Sequence, residues 1–404
     1  MRLHDDHLSE LPKISKALKT KTPLELKNCE VIISPFEVVR LENFIKGKAF
    51  IRKLLKKLDR LEFNESNNDL HYYLLCHDDK CEDRGVAFIW YLSQKWRPNW
   101  GGSLDLFDKD GDGQPNSIVR KVFPEFNSFV CFQVGDYTYH QVAEVTDKTA
   151  VRLTINGWFH VNKAPAGSVK YKEITSLMTQ PRNLLANCYL NSFINALYLS
   201  ESTIEGLSLI FEENKNVMLP EVLLKKVFKN ALLDLFQYSI KWRRKSPPNR
   251  RCYDYAEEKS LEPTVKSLLT VLTSKPMIAF LESITNINLS RILEKGGGVA
   301  AEIQRWKSGY YSLLYDENPS AETDGLDIFL FLNVEGVYQG LFETGGTILY
   351  SPSSEEEEGT VIDPVDNALC MVAKKKGETK YVKYCNHKMK DSFYVIQVSF
   401  ASFD

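Results

Sequence analysis

His77 and Asp79, held in "LLCHDDKC" (74–81), are residues whose types and spacing could grip a metal ion. Side chains on a β-strand alternate with period two, so His-x-Asp projects both ligands from one face while Asp78 points away. A second histidine, His140, lies in a later strand-like run, "TYHQVAEV". If the two runs are neighbours in a barrel, two imidazoles and one carboxylate converge and leave coordination positions open. That is the facial triad of non-haem Fe(II) oxygenases. Arg152 follows twelve residues after His140, in "AVRLTINGWFHV", at a position the alternation turns inward. A buried arginine needs a partner, and a carboxylate gripped bidentately is the natural one. In an iron oxygenase that carboxylate is the distal end of 2-oxoglutarate, whose keto-acid end chelates the metal. Tyr91, in "GVAFIWYLS", could add a phenol hydrogen bond to the same carboxylate.

Each piece also has a bland reading: His140 as a satisfied core histidine, Arg152 as half of a structural ion pair. Neighbouring motifs compete for attention. Cys76 and Cys81 flank His77, but structural zinc favours closer cysteine pairs with a second pair elsewhere, and none is present. "DKDGDGQPNSIV" (108–119) resembles a calcium-binding loop, yet Val119 stands where a bidentate glutamate is required and Pro115 interrupts it. It reads as a hairpin turn. His71 and His160 read as structural or surface histidines. His387 has no His-x-Asp upstream in its own β-rich segment, which therefore reads as non-catalytic.

The elements that must position these groups follow from periodicity. Residues 24–35 read as a strand entry ending at Pro35. Residues 36–61 read as a helix, with Phe44, Ile45, Ile51, Leu54, Leu55 and Leu58 recurring near the 3.6 period and a solvated basic face opposite. From 71 to 161 seven short apolar runs, separated by Gly, Asp, Asn and Pro, suggest an antiparallel barrel or jelly roll. "VNKAPAGSVKYKEI" reads as a linker. Residues 183–245 read as helical, including "PEVLLKKVFKNALLDLFQYSIKWRRK", and helices resume over 262–315. Residues 327–399 return to strand-like runs, interrupted by the acidic "SPSSEEEEGT". The fold class expected is α+β, mainly β, with domains at 1–163 and 183–404 joined by a linker at 164–182.

The 404 residues carry 43% hydrophobic side chains and a formal net charge of −2, so no global field favours nucleic acid or an anionic membrane. Eight cysteines, with no apolar leader at the start, suggest reduced thiols and a cytoplasmic or nuclear location. No apolar run is long enough to span a membrane.

Together, "LLCHDD", "AFIWYL", "GGSLDLF", "YHQVAEV" and "RLTINGWFH" resemble the eukaryotic 2-oxoglutarate- and iron-dependent prolyl 3-hydroxylases that modify a small-subunit ribosomal protein. The likeness is close over residues 24–161 and looser beyond. It implies a double-stranded β-helix (jelly roll) catalytic domain followed by a second β-helix lacking metal ligands. It implies Fe(II) at His77, Asp79 and His140, and 2-oxoglutarate held by Arg152 and Tyr91. O2 as co-substrate and L-ascorbate as a further cofactor are implied with it. One departure stands out: "NESNNDL" runs almost directly into "HYYLLCH", where members of the family carry a longer segment with a helix and a strand that build the barrel and cleft. Two rival readings remain. One is an interaction scaffold of the translation machinery whose shortened barrel is catalytically impaired. The other is a cupin-type metalloenzyme that does without 2-oxoglutarate and so without Arg152.

Overall fold

The computed structural model describes residues 2–62, 73–162, 189–313, 324–352 and 358–401. The chain divides into two compact units, Met1–Tyr171 with Pro247–Asn249, and Lys172–Ser246 with Arg250–Asp404. The linker expected at 164–182 lies outside the described residues.

The first unit opens with helix α1 (Asp5–Thr20), strands β1 (Leu24–Leu26), β2 (Cys29–Ile32) and β3 (Val38–Leu41), and helix α2 (Lys48–Leu58). Seven strands follow: β4 (Leu74–His77), β5 (Arg84–Tyr91), β6 (Leu104–Lys109), β7 (Pro115–Val122), β8 (Ser128–Gln133), β9 (His140–Val142) and β10 (Thr154–His160). They match the seven runs expected from the sequence. The hairpin joining β6 to β7 is the calcium-like motif. Its Asp110 carboxylate accepts the backbone amides of Asp112 and Gln114, so the aspartates serve the turn.

Two sheets form, in the orders β1-β2-β3-β8-β5-β10 and β4-β9-β6-β7. All pairings are antiparallel. Alternation along β5 and β8 sorts side chains into two layers. Ala87, Tyr91, Val130 and Phe132 join Leu104, Leu106 and Val122 from the smaller sheet in one core. Trp90 and Phe129 face the other way, where Ile51, Leu54, Leu55 and Leu58 of α2 cover them. The site residues thus belong to a jelly roll, with α2 on its outer surface. β10 ends the larger sheet, and among the described residues no strand pairs with its second edge.

The helix expected over 36–61 is confined to 48–58. Residues 38–41 instead form β3, because the β-branched pair Val38–Val39 fits a pleat and is held between β2 and β8. Helix α1 was not signalled by periodicity. Only His7, Ile14 and Ala17 are buried, and Pro12 sits inside it.

In the second unit one curled path of antiparallel strands has at its centre Ala368–Lys374, Gly325–Leu332, Phe393–Ala401 and Gly298–Trp306, in that order. One face packs on helices around Leu268, Leu281 and Ile284. The other encloses Phe329, Phe331, Phe393 and Trp306. The helical reading of 220–245 fails at both ends. The helix covers Lys225–Leu235, and Trp242–Lys245 is a strand paired with Arg251–Ala256. Its basic residues serve cross-strand ion pairs, such as Arg244 with Asp254 at 2.8 Å. Likewise the helices after 262 stop by Glu294. Gly296 and Gly297 break the pattern, and Gly298–Trp306 pairs with Phe393–Ala401.

Leu104 is fully buried between the two sheets of the first unit. Leu104→Ala is expected to lower the free energy of unfolding by about 2–5 kcal/mol. Val119→Ala, on the exposed side of β7, is expected to change it by less than about 0.5 kcal/mol. Urea denaturation followed by tryptophan fluorescence separates the two.

Candidate metal centre

β4 and β9 pair so that His77 and His140 stand directly opposite one another, their ring centroids 4.3 Å apart. β9 is held on its other side by β6, where Leu106 opposes His140. The ring of Phe132 meets His140 edge-on at 4.8 Å from the interior of the larger sheet. His140 is therefore a buried, fixed group, while His77 is half-buried at the strand end.

Asp79 reaches the pair by a different route from the one the period of two suggests. β4 ends at His77, so Asp79 is not on the strand. A turn follows in which the Asp78 carboxylate accepts the Lys80 amide at 3.1 Å. Asp79 adopts a left-handed backbone with φ 61°, a conformation aspartate tolerates better than most residues. The turn folds its carboxylate back between the two imidazoles. Oδ1 lies 3.4 Å from His77 Nε2 and Oδ2 lies 3.3 Å from His140 Nε2. One ligand atom from each residue falls within 4.8 Å of the other two, and among the described residues no other set of three such groups converges. Asp78 is the turn former and Asp79 the inward carboxylate. Cys76 packs instead with Phe107 and Tyr139.

The tautomers follow from the outer contacts. His77 Nδ1 lies 2.7 Å from the Leu75 carbonyl and His140 Nδ1 lies 2.8 Å from the Thr138 carbonyl. A carbonyl only accepts, so both Nδ1 atoms carry protons and both Nε2 atoms turn lone pairs toward Asp79. Two lone pairs facing a carboxylate at this range repel unless a cation lies among them. Burial opposes ionisation of Asp79, yet when protons on the two Nε2 atoms stand in for a metal, the hydrogen bonds they donate outweigh it and hold its carboxyl well below the usual carboxylate range. Burial lowers His140, with only partial relief from Asp79. Burial acts the same way on His77, but there Asp79 and the Leu75 carbonyl win and the net shift is upward. The donor set, two imidazoles and a carboxylate, suits a divalent transition metal with positions left open.

Arg152 and Tyr91 form a second group. Tyr91 is fully buried in the same core as Phe132. Arg152 lies two residues before β10, not within it, and is placed by a hydrogen bond rather than by strand alternation. Its Nε donates to the Gly102 carbonyl at 2.9 Å, which brings its guanidinium carbon 5.3 Å from the Tyr91 ring centre. The Tyr91 hydroxyl and Arg152 Nη2 are both shut off from solvent with no hydrogen-bond partner. Burial raises the Tyr91 hydroxyl pKa, against the pull of Arg152. The buried Nη2 of a half-buried guanidinium and a buried phenol, both unsatisfied and side by side, are matched by one carboxylate.

Gly102 is the residue that the spacing of chemical groups does not reveal. Its φ is +67°, and a Cβ there would meet the Trp96 ring at 2.8 Å and Arg152 Cδ at 3.2 Å. The doublet Gly101–Gly102 in "GGSLDLF" was its signal. Of the remaining histidines, His160 is an exposed partner of Asp83 at 2.5 Å, and His71 lies outside the described residues.

Comparison with known proteins bears on both groups. Residues 64–160 match the 2OG-Fe(II) oxygenase superfamily, and residues 185–403 match the family described as oxoglutarate and iron-dependent oxygenase degradation C-term. The chain is 33% identical over 405 residues to prolyl 3-hydroxylase sudestada1 of Drosophila melanogaster, covering 92% of this chain and 74% of the relative. The chain belongs to the 2-oxoglutarate- and iron-dependent prolyl 3-hydroxylase family. Other family members are similar: prolyl 3-hydroxylase OGFOD1 of Xenopus laevis, 31% identical over 345 residues (78% of this chain, 66% of the relative), and that of Mus musculus, 25% identical over 492 (93% and 89%). The aligned span with the mouse relative exceeds the 404 residues of this chain, so that family member carries residues with no counterpart here. The short junction noted before His77 falls on 63–72, outside the described residues.

Oxygenases of this family use Fe(II), 2-oxoglutarate and O2. The residues present fit those groups: the lone-pair triad fits the metal, and the unsatisfied Arg152–Tyr91 pair fits the distal carboxylate. Gly102 acts as a positioning residue for that pair. Gly102→Ala is expected to weaken 2-oxoglutarate binding about ten- to a hundredfold while Fe(II) affinity stays unchanged. Calorimetric titrations of each, run separately under anaerobic conditions, check the split.

Proposed function

We propose that His77, Asp79 and His140 bind Fe(II), that Arg152 and Tyr91 hold the distal carboxylate of 2-oxoglutarate, and that the enzyme hydroxylates a prolyl residue of a protein. The observation that carries this reading is the pairing of two unsatisfied groups in one jelly roll: three metal ligands with their lone pairs converged, and a buried Arg152 Nη2 and Tyr91 hydroxyl that make no hydrogen bond. When bound, iron supplies O2 activation coupled to oxidative decarboxylation of 2-oxoglutarate to succinate and CO2, with one oxygen atom entering the prolyl C–H bond.

The protein's part is positional. The Leu75 and Thr138 carbonyls hold the Nδ1 protons, so Nε2 of each imidazole stays free to ligate. Asp79 supplies the one negative charge of the ligand set and orients between the rings. Arg152 and Tyr91 fix the far end of the co-substrate, which sets the direction of its keto-acid end. Phe132, Leu104 and Leu106 line the interior and exclude water.

The names of the relatives support proline as the target and position 3 as the carbon. The sequence resemblance supports a small-subunit ribosomal protein as the substrate, and with it a cytoplasmic and nuclear location and an effect on translation. The seven described cysteines are free, consistent with a reducing compartment. A second reading, an interaction scaffold, draws on one observation: the outer edge of β10, which no strand pairs with among the described residues.

The experiment is turnover. The purified chain, with Fe(II), 2-oxoglutarate and a proline-containing ribosomal peptide, is expected to release succinate and add one oxygen atom to the peptide, read by mass spectrometry. His77→Ala with Asp79→Ala abolishes both. Arg152→Ala is expected to raise the 2-oxoglutarate requirement at least about tenfold, as loss of a charge-assisted bond of about 1.5–3 kcal/mol implies. Unchanged activity in Arg152→Ala indicates a metalloenzyme that does not use 2-oxoglutarate. Absence of turnover in a folded, metal-loaded chain favours the scaffold.

A further inference from the structure

In the second unit, the alternation that turns Phe329, Phe331 and Trp306 inward also turns Asp327, Lys374 and Glu302 inward. Charges placed between two sheets are costly unless each is paired. Two of the three are paired. Glu302 accepts from Lys245 Nζ at 2.9 Å, from the Tyr253 hydroxyl at 2.9 Å and from Gln304 Nε2 at 3.0 Å. Asp327 accepts from the Tyr350 hydroxyl at 2.5 Å and has Lys380 Nζ at 3.5 Å.

Lys374 is the exception. The residue is 7% exposed, and its Nζ is shut off from solvent with no hydrogen-bond partner. Val372 and Cys370, two and four residues before it on the same strand, belong to the interior cluster, so the amine shares their face. The acids that follow are occupied elsewhere. Glu378 accepts the Lys375 amide and Asp324 accepts the Lys376 amide, each at 2.8 Å. Lys374 ends its strand, and Lys375, Lys376 and Gly377 beyond it are exposed, so the amine lies at the end of the interior nearest solvent.

The charges narrow the ligand. Lys245 is matched by Glu302 and Lys380 by Asp327, which leaves Lys374 as an unmatched cation. One carboxylate supplies both the negative charge and the missing acceptor. A phosphate ester carries nearly two negative charges at neutral pH, and the surplus would lie beside buried Asp327. Val372 stands opposite Asp327 and Cys370 opposite Phe329 in the same sheet, so apolar surface adjoins the amine.

We propose that the second unit binds a small carboxylic acid as its anion, gripped by Lys374 Nζ, with a short apolar stem against Val372 and Phe329. The site lies wholly within the second unit and does not depend on the iron reading of the first. Burial pushes the Lys374 amine down to about 8; Asp327, Glu378 and Asp324 pull it up and Lys380 pushes it further down, and burial wins. The grip therefore holds while the ammonium is present and is lost as pH rises through that value.

The test is calorimetric titration of butyrate into the full, metal-free chain carrying Arg152→Ala, which removes the carboxylate grip proposed for the first unit. Saturable binding in the millimolar range or tighter is expected at neutral pH. From about pH 7 to about pH 9 the affinity is expected to fall about tenfold, with proton uptake on binding. Lys374→Met is expected to weaken binding at least about tenfold and to abolish the pH dependence. Butyramide, the uncharged isostere, is expected not to bind. Circular dichroism confirms that Lys374→Met folds, and the pH profile and the butyramide comparison require no substitution in the second unit. The proposal is overturned by an absence of saturable binding, by butyramide binding as well as butyrate, or by binding that Lys374→Met leaves intact. Tighter binding of inorganic phosphate, lost in Lys374→Met, would assign the amine to a different anion and overturn the carboxylate.

Discussion

The first unit depends on one cross-strand pair. β4 and β9 set His77 against His140, and the turn after β4 folds the Asp79 carboxylate between them. Because both Nδ1 protons are committed to backbone carbonyls, the three inward atoms are all acceptors. Such a cluster is stable in a buried place only with a cation among the three, whether a proton or a metal. The jelly roll supplies the rigidity that keeps the acceptors from drifting apart. β6 clamps β9 from the other side, and Phe132 wedges His140 from the facing sheet. The pair proposed to hold the co-substrate obeys the same logic. Arg152 and Tyr91 are held close enough to share a ligand, and neither Arg152 Nη2 nor the Tyr91 hydroxyl has a hydrogen-bond partner within the protein.

The larger sheet divides the labour of this unit. Alternation along β5 sends Tyr91 toward the site and Trp90 outward. One strand therefore supports the chemistry on one face and anchors α2 on the other. The same division leaves the basic face of α2 free of any duty in the core or the site. The second unit repeats the layered plan with a different interior. Phe329, Phe331, Phe393 and Trp306 fill it, and its buried Asp327 is engaged by the Tyr350 hydroxyl and by Lys380.

Much of the site was legible because few residue types can do this chemistry. Histidine is scarce in the chain, and a His-x-Asp followed by a later histidine and arginine narrows the choice quickly. The triad was reached for a partly mistaken reason, since a turn with a left-handed aspartate, and not strand alternation, brings Asp79 inward. Alternation also misplaced Arg152, which a hydrogen bond to the Gly102 carbonyl positions from outside the strand. Backbone conformation of that kind leaves almost no trace in side-chain periodicity; only the glycine doublet hints at it. The seven strands of the first unit were legible from short apolar runs between turn residues. The errors fell where tertiary pairing overrode local pattern. Val38–Leu41 and Trp242–Lys245 lie beside helical segments, and each is a strand because a partner strand takes it. Helix α1 was hidden because so little of it is buried.

The central claim is that this chain, with its short junction before β4, still assembles an iron site that chelates 2-oxoglutarate. Anaerobic addition of Fe(II) and then 2-oxoglutarate tests it most directly, through the visible charge-transfer absorption that appears when the keto acid chelates ferrous iron. The account predicts a saturable band at one iron per chain, absent in Asp79→Ala and shifted to higher 2-oxoglutarate concentration in Arg152→Ala. A folded chain that gives no band, or a band that survives in Asp79→Ala, would contradict it.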